Sequence, residues 1–244
     1  MLRDQYPGAN IEVINTGITA INSHVVVKVA EDLASFKPDL FIVYLGNNEV
    51  VGPFGPGTAL SPFEPNYLTI RLGIFLNSIR LGQLLKSLSE KLFGPKHQPL
   101  QNWDEIWNRL SEKQIRADDP RLEIVYSHYR RNLNKILEIS KSSGAKVVVS
   151  TVASNLKDFA PFASLHKQEL SSIDRIHWDT LYQTGIEFQK AGLCKQAIKN
   201  YLRAINIDKG FAEVHFRLGR CYQTLQDYSS AHKHYLKARD LDAL

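Results

Sequence analysis

Two successive stretches decide the C-terminal half of this chain: Trp178–Phe211, WDTLYQTGIEFQKAGLCKQAIKNYLRAINIDKGF, and Ala212–Leu244, AEVHFRLGRCYQTLQDYSSAHKHYLKARDLDAL. Set one under the other at an offset of 34 residues, they match at Gly185 and Gly219, Phe188 and Tyr222, Ala197 and Ala231, and Tyr201 and Tyr235. The match continues at Leu202 and Leu236, Ala204 and Ala238, and Asp208 and Asp242. Small residues at these places let two helices approach closely, and aromatic rings fill the gap between them. Self-similarity at this period is the signature of a stacked helix–turn–helix array.

The pattern resembles the tetratricopeptide repeat. That resemblance implies an all-α segment over 174–244, with repeats at 178–211 and 212–244. It also implies a protein or peptide partner, bound in the concave groove such repeats form. Lys209 stands where the pattern carries a proline. Two repeats are few, because each unit buries its apolar face against a neighbour. Either these repeats dock on the rest of the chain, or further repeats belong downstream.

Residues 1–165 read differently. Three short runs rich in β-branched residues, 11–15, 39–45 and 146–151, suggest parallel strands covered on both faces. Between the first two, Val26, Val29, Ala30, Leu33 and Phe36 fall at helical spacing, and Pro38 closes the segment. Before the third, Asp119 is a good N-cap with Pro120 behind it, and Leu122, Val125, Tyr129, Leu133, Ile136 and Leu137 mark one face. Alternating strands and helices predict a doubly wound α/β sheet. Residues 59–116, with Trp103 and Trp107, read as a helical insertion.

Composition narrows the function classes. The 30 basic residues are offset by 25 acidic ones and scattered, leaving a net charge of +5. No basic stripe is interleaved with aromatics, so nucleic acid is not an expected partner. Cys194 and Cys221 match no metal spacing and read as buried free thiols. No cofactor is expected. The most lipid-like stretch, Tyr67–Phe93, is interrupted by Arg71, Asn77, Arg80 and Lys86, and so lacks the apolar run of about 20 residues a spanning helix needs. It reads as an amphipathic helix that packs on the protein, with contact to a membrane surface as the alternative.

Two loops follow expected strands. Asn15-Thr16-Gly17-Ile18-Thr19 follows the first, and Gly46-Asn47-Asn48-Glu49 the second. Ligands in open α/β sheets bind beyond the carboxyl ends of strands. A backbone N–H at glycine and an asparagine amide could together polarise a carbonyl oxygen. Glycine and asparagine are equally ordinary turn residues.

The pair VINTG and GNNE resembles the second and third sequence blocks of the SGNH, or GDSL, hydrolase superfamily. A bacterial subgroup that joins this domain to tetratricopeptide repeats resembles the chain over nearly all of residues 6–242, including EVINTGITAINSH, NNEVVGPFGPGT and STVASNLKDFAPFASLH. The resemblance implies a flavodoxin-like sheet, an ester substrate, and an oxyanion hole formed by the Gly17 amide and the Asn48 side chain. Glu49 stands where the wider superfamily has aspartate. For the full-length subgroup it also implies an anchored, extracytoplasmic protein.

The block carrying the nucleophilic serine and the Asp-x-x-His block are not in residues 1–244. The expectation is therefore a fragment or degenerate member, lacking the first strand of the sheet and inactive alone. Asp174 and His177 have the Asp-x-x-His spacing, but at three residues apart in a helix they simply share a face. His24 and His166 read as structural or surface residues. Two functions compete: an ester hydrolase module with protein-binding repeats, and a non-catalytic interaction protein.

Overall fold

Helical spacing before Pro38 becomes α1, Ser23–Ala34, in the computed structural model, which describes residues 2–58, 66–93 and 113–243. A single helical turn, Leu2–Gln5, precedes it. The apolar run after Pro38 is strand β1, Leu40–Tyr44. Next come α2, Tyr67–Ser78, α3, Arg80–Phe93, and α4, Arg121–Ser142. The cap position of α4 falls on Pro120, one residue later than expected, and the Asp119 side chain just before it accepts from the Arg121 amide at 2.9 Å. Gly144, at φ +85°, lets the chain leave α4 and enter strand β2, Lys146–Ser150.

β1 and β2 pair in parallel, from Leu40 opposite Lys146 to Tyr44 opposite Ser150. Phe41 and Val43 point into a core with Val27 and Ala30 of α1 and Ile136 of α4. Leu40, Ile42 and Tyr44 alternate with them and are exposed, Ile42 at 71%. The expectation of strands covered on both faces is thus corrected: β1 is covered on one.

The sheet is also smaller than expected. Residues 11–15 are not a strand, and Val13 is 73% exposed. In a flavodoxin-like order that segment lies one strand away from β1. No described strand occupies the place between them, so the segment has no ladder to join. A two-stranded parallel pair is what the described residues hold, rather than a complete doubly wound sheet. Of the insertion expected at 59–116, α2 and α3 are described and helical. Trp103 and Trp107 lie outside the described residues.

The C-terminal part is two helical hairpins. α5, Ser172–Lys190, pairs with α6, Cys194–Ile207; α7, Ala212–Thr224, pairs with α8, Tyr228–Asp240. The matched residues explain the packing. A Cβ on Gly185 would stand 2.4 Å from the Tyr201 ring, and one on Gly219 would stand 2.6 Å from Tyr235. Each tyrosine hydroxyl then donates at 2.7 Å to a matched glutamine, Gln189 or Gln223. The main core joins Trp178, Leu181 and Tyr201 to Val214, Leu218 and Cys221 of the next helix. Cys194 and Cys221 are buried free thiols, and burial pushes the Cys221 thiol up to about 12.

Candidate functional site

The loop after β1 is built around a buried carboxylate. Glu49 accepts from the Ser23 amide at 2.8 Å and the Ser23 hydroxyl at 2.7 Å. Ser23 is the first residue of α1, and the Asn22 side chain at the cap position makes no cap bond to that helix. Glu49 therefore satisfies a helix N-terminus from across the fold and places negative charge at the positive end of its dipole. The network continues: Asn132 donates to the Ser23 hydroxyl at 2.9 Å, and Tyr67 donates to Asn132 at 3.0 Å. Burial pushes the Glu49 carboxyl up, opposed by the two Ser23 bonds.

The expected oxyanion donors have local partners. The Gly17 amide donates to Asn15 Oδ1 at 2.9 Å in an exposed turn, and the Asn48 amide donates to the Ile21 carbonyl at 3.1 Å. Asn48 thus helps fasten the loop to the start of α1. Asp174 is absorbed by a helix cap: Ser171 Oγ accepts from its amide at 3.1 Å and donates to its carboxylate at 2.8 Å. His177 is exposed on the next turn. His24 is buried, edge-on to Phe54 and His128. Burial first, then His128 and Arg71, lower its imidazole to about 4.

A second constellation lies on the repeats. A strap of residues 155–167, preceding α5 in the chain, runs along them. At one end His166 Nδ1 is 2.8 Å from Asp208 Oδ2, and the Lys167 amide donates to the same oxygen at 3.2 Å. The His166 ring lies 4.5 Å from Trp178 and 4.4 Å from Phe211, centre to centre. Burial lowers its affinity for a proton, against the pull of Asp208. Arg116 donates to the His166 carbonyl. In the middle, Ser164 Oγ accepts from the Glu213 amide at 2.8 Å, capping α7, whose own Phe211 cannot. Beside it, the Ala163 amide donates to Asp242 at 3.0 Å, and its carbonyl accepts from the Ala243 amide at 3.1 Å. Asp208 and Asp242 are matched repeat positions, and each accepts from the strap backbone.

The repeat register shows what the strap covers. Tyr182, Ala197, Tyr201 and Ala204 of the first repeat correspond to Phe216, Ala231, Tyr235 and Ala238 of the second. The first set packs with Val214, Leu218 and Cys221 of α7. The second packs with Leu156 of the strap. The strap therefore stands where the first helix of a third repeat would lie. It fills the place incompletely, leaving a cleft of about 400 Å³ lined by Lys157, Asp158, Phe216, Arg220, Thr224 and Tyr235.

These anchors were missed in the sequence, although the Asp208–Asp242 match was a signal for them. For His166 the sequence supports a structural or surface role and does not point to Asp208. The pair His215 and His234, with Nδ1 atoms 3.1 Å apart, was also missed.

Residues 212–243 match the family model described as tetratricopeptide repeat. No curated protein and no solved structure matches the chain. The C-terminal helices fit that repeat. The ester-hydrolase resemblance gains no support from these comparisons.

Proposed function

We propose that this chain is a protein-interaction module, with a partner protein bound on the repeats and the α/β part fixed to them by the strap. One observation carries this reading. The end face of the second repeat repeats the chemistry of an interface already used inside the chain, yet beside the strap it keeps an open cleft. The cleft is walled by residues of both signs, Lys157 and Arg220 against Asp158. Such a mixture suits a polar peptide segment better than an apolar small molecule. The test is capture of a binding protein by the full chain and by Arg220→Glu/Thr224→Glu. Both positions are exposed, so the fold should persist. Loss of the captured protein supports the proposal. Equal capture by wild type and variant removes the cleft from the binding surface.

A second reading keeps the ester hydrolase, because Asn48 stands just beyond the carboxyl end of a parallel strand. On that reading Gly17 and Asn48 serve as oxyanion donors for a serine supplied outside residues 1–244, and those residues alone turn over no ester. Esterase activity in a longer chain carrying the serine and Asp-x-x-His blocks should fall about 100- to 1,000-fold with Asn48→Ala. Activity indifferent to Asn48→Ala would sink the assignment.

A further inference from the structure

The stretch Tyr67–Phe93 is not used by either reading, and it does not pack on the protein as an amphipathic helix should. α2 is held by one face only. Tyr67 bonds Asn132, the Arg131 guanidinium lies 3.9 Å over the Tyr67 ring, Ile70 is buried, and Arg71 meets Glu31 at 3.2 Å. Its other face, Leu68, Leu72, Phe75 and Leu76, is exposed. On α3 the leucines at 81, 84, 85, 88 and 92 form a single helical stripe, and every one is exposed. Scattered exposed leucines need no explanation, but stripes on two successive helices mark an interaction surface.

Charge decides the occupant. Tyr67–Phe93 holds four basic residues and one acidic, Glu90. Arg71 is engaged with Glu31, while Arg80, Lys86 and Lys91 are exposed. Arg80 and Lys91 lie on one side of the leucine stripe, about a quarter turn from its centre, where a long cationic side chain can reach past an apolar boundary. A second copy would bring the same positive charge to the contact, on a chain already at +5. An anionic lipid surface is complementary instead. Among the described residues no helix is long and apolar enough to cross a membrane, so the contact is with the surface.

We infer that α2 and α3 seat this protein on an anionic membrane surface, with the leucine stripes at the acyl boundary and Arg80, Lys86 and Lys91 among the headgroups. Flotation of the full chain with phosphatidylcholine vesicles, with and without phosphatidylserine, tests it. Binding is expected on the anionic vesicles. It should fall about 5-fold for each of Arg80→Gln and Lys91→Gln, and about 100-fold or more for Leu84→Asp/Leu88→Asp. All four positions are exposed, and circular dichroism checks that the variants keep their helices. Failure to float with anionic vesicles, or equal binding to both kinds, overturns the inference. So does a wild-type dimer in sedimentation equilibrium that Leu84→Asp/Leu88→Asp splits, because the occupant is then a second copy.

Discussion

The buried carboxylate of Asp208 lies 2.8 Å from Nδ1 of the half-buried His166, across 42 residues of sequence. The same carboxylate accepts from the Lys167 and Gly210 amides. Asp208→Ala removes the acceptor from three donors at once, at a cost of about 3 kcal/mol. Asp208→Asn keeps one acceptor oxygen and should cost less. Urea unfolding gives both values, and proteolysis of the 155–167 strap should accelerate in the alanine variant. An unchanged urea midpoint for Asp208→Ala would show that the strap is not held there.

The matched glycines predict a matched pair of losses. Alanine at 185 or 219 drives a methyl into the Tyr201 or Tyr235 ring. Overpacking of this kind costs about 1–3 kcal/mol. Trimming the ring opposite should recover part of it, so Gly185→Ala/Tyr201→Leu is expected to lose less than the two single changes added together. Strict additivity in thermal unfolding would mean that the ring and the glycine do not meet.

Acid should loosen the second repeat. His215 and His234 face each other through Nδ1 atoms 3.1 Å apart, a space that holds one proton. Tyr222 stacks on His234, while Lys237 faces His215 and Lys233 faces His234. Burial first, then the neighbouring His234, lowers the His215 imidazole from 6.5 to about 4. A folded value below the unfolded one favours the neutral ring. The stabilisation is therefore complete above about 6.5 and is lost as pH falls through the window down to about 4. His24, lowered to a similar value, acts in the same direction in the α/β part. His215→Gln should flatten part of the pH dependence of the urea midpoint between pH 7 and 4. A variant as acid-sensitive as wild type would exclude His215 as its source.

Glu49→Ala should be worse than Glu49→Gln. Alanine leaves the buried Ser23 amide without its acceptor, at a cost of about 2 kcal/mol. Glutamine keeps an oxygen for that amide while losing the charge at the helix terminus. Hydrogen exchange at the first turn of α1 separates the two, with faster exchange expected in the alanine variant. Equal protection in both would remove the carboxylate from its role as an external cap.

The repeats were legible because their signals are local. Gly185, Tyr201 and their counterparts at 219 and 235 are one steric arrangement written twice. α1 and α4 were legible for a related reason, since Pro38, Asp119 and Gly144 punctuate them. Residues 11–15 were misread because β-branched content reports a preference for a pleated surface, while pairing depends on a neighbour. Val13 and Ile14 have that preference and no described partner. Glu49 looked like a deviation in a sequence block, and its contact with Ser23 joins residues 26 apart. Nothing in either local sequence announces that contact. His166 was opaque for the same reason, as its partner lies beyond two helices.

The bond between Ala163 and Asp242 spans 79 residues, so the strap ties the end of α8 to a point before α5. Repeat arrays ordinarily assemble through contacts between neighbours. Here the chain also closes a ring around the whole pair, and that closure carries an entropy cost which grows only slowly with loop length. The larger effect is on timing. During synthesis the strap leaves the ribosome before either repeat, so Leu156 emerges well ahead of Phe216 and Tyr235, the surface it covers. For that interval the strap is a bare segment, and whatever binds it then competes with the chain's own repeat.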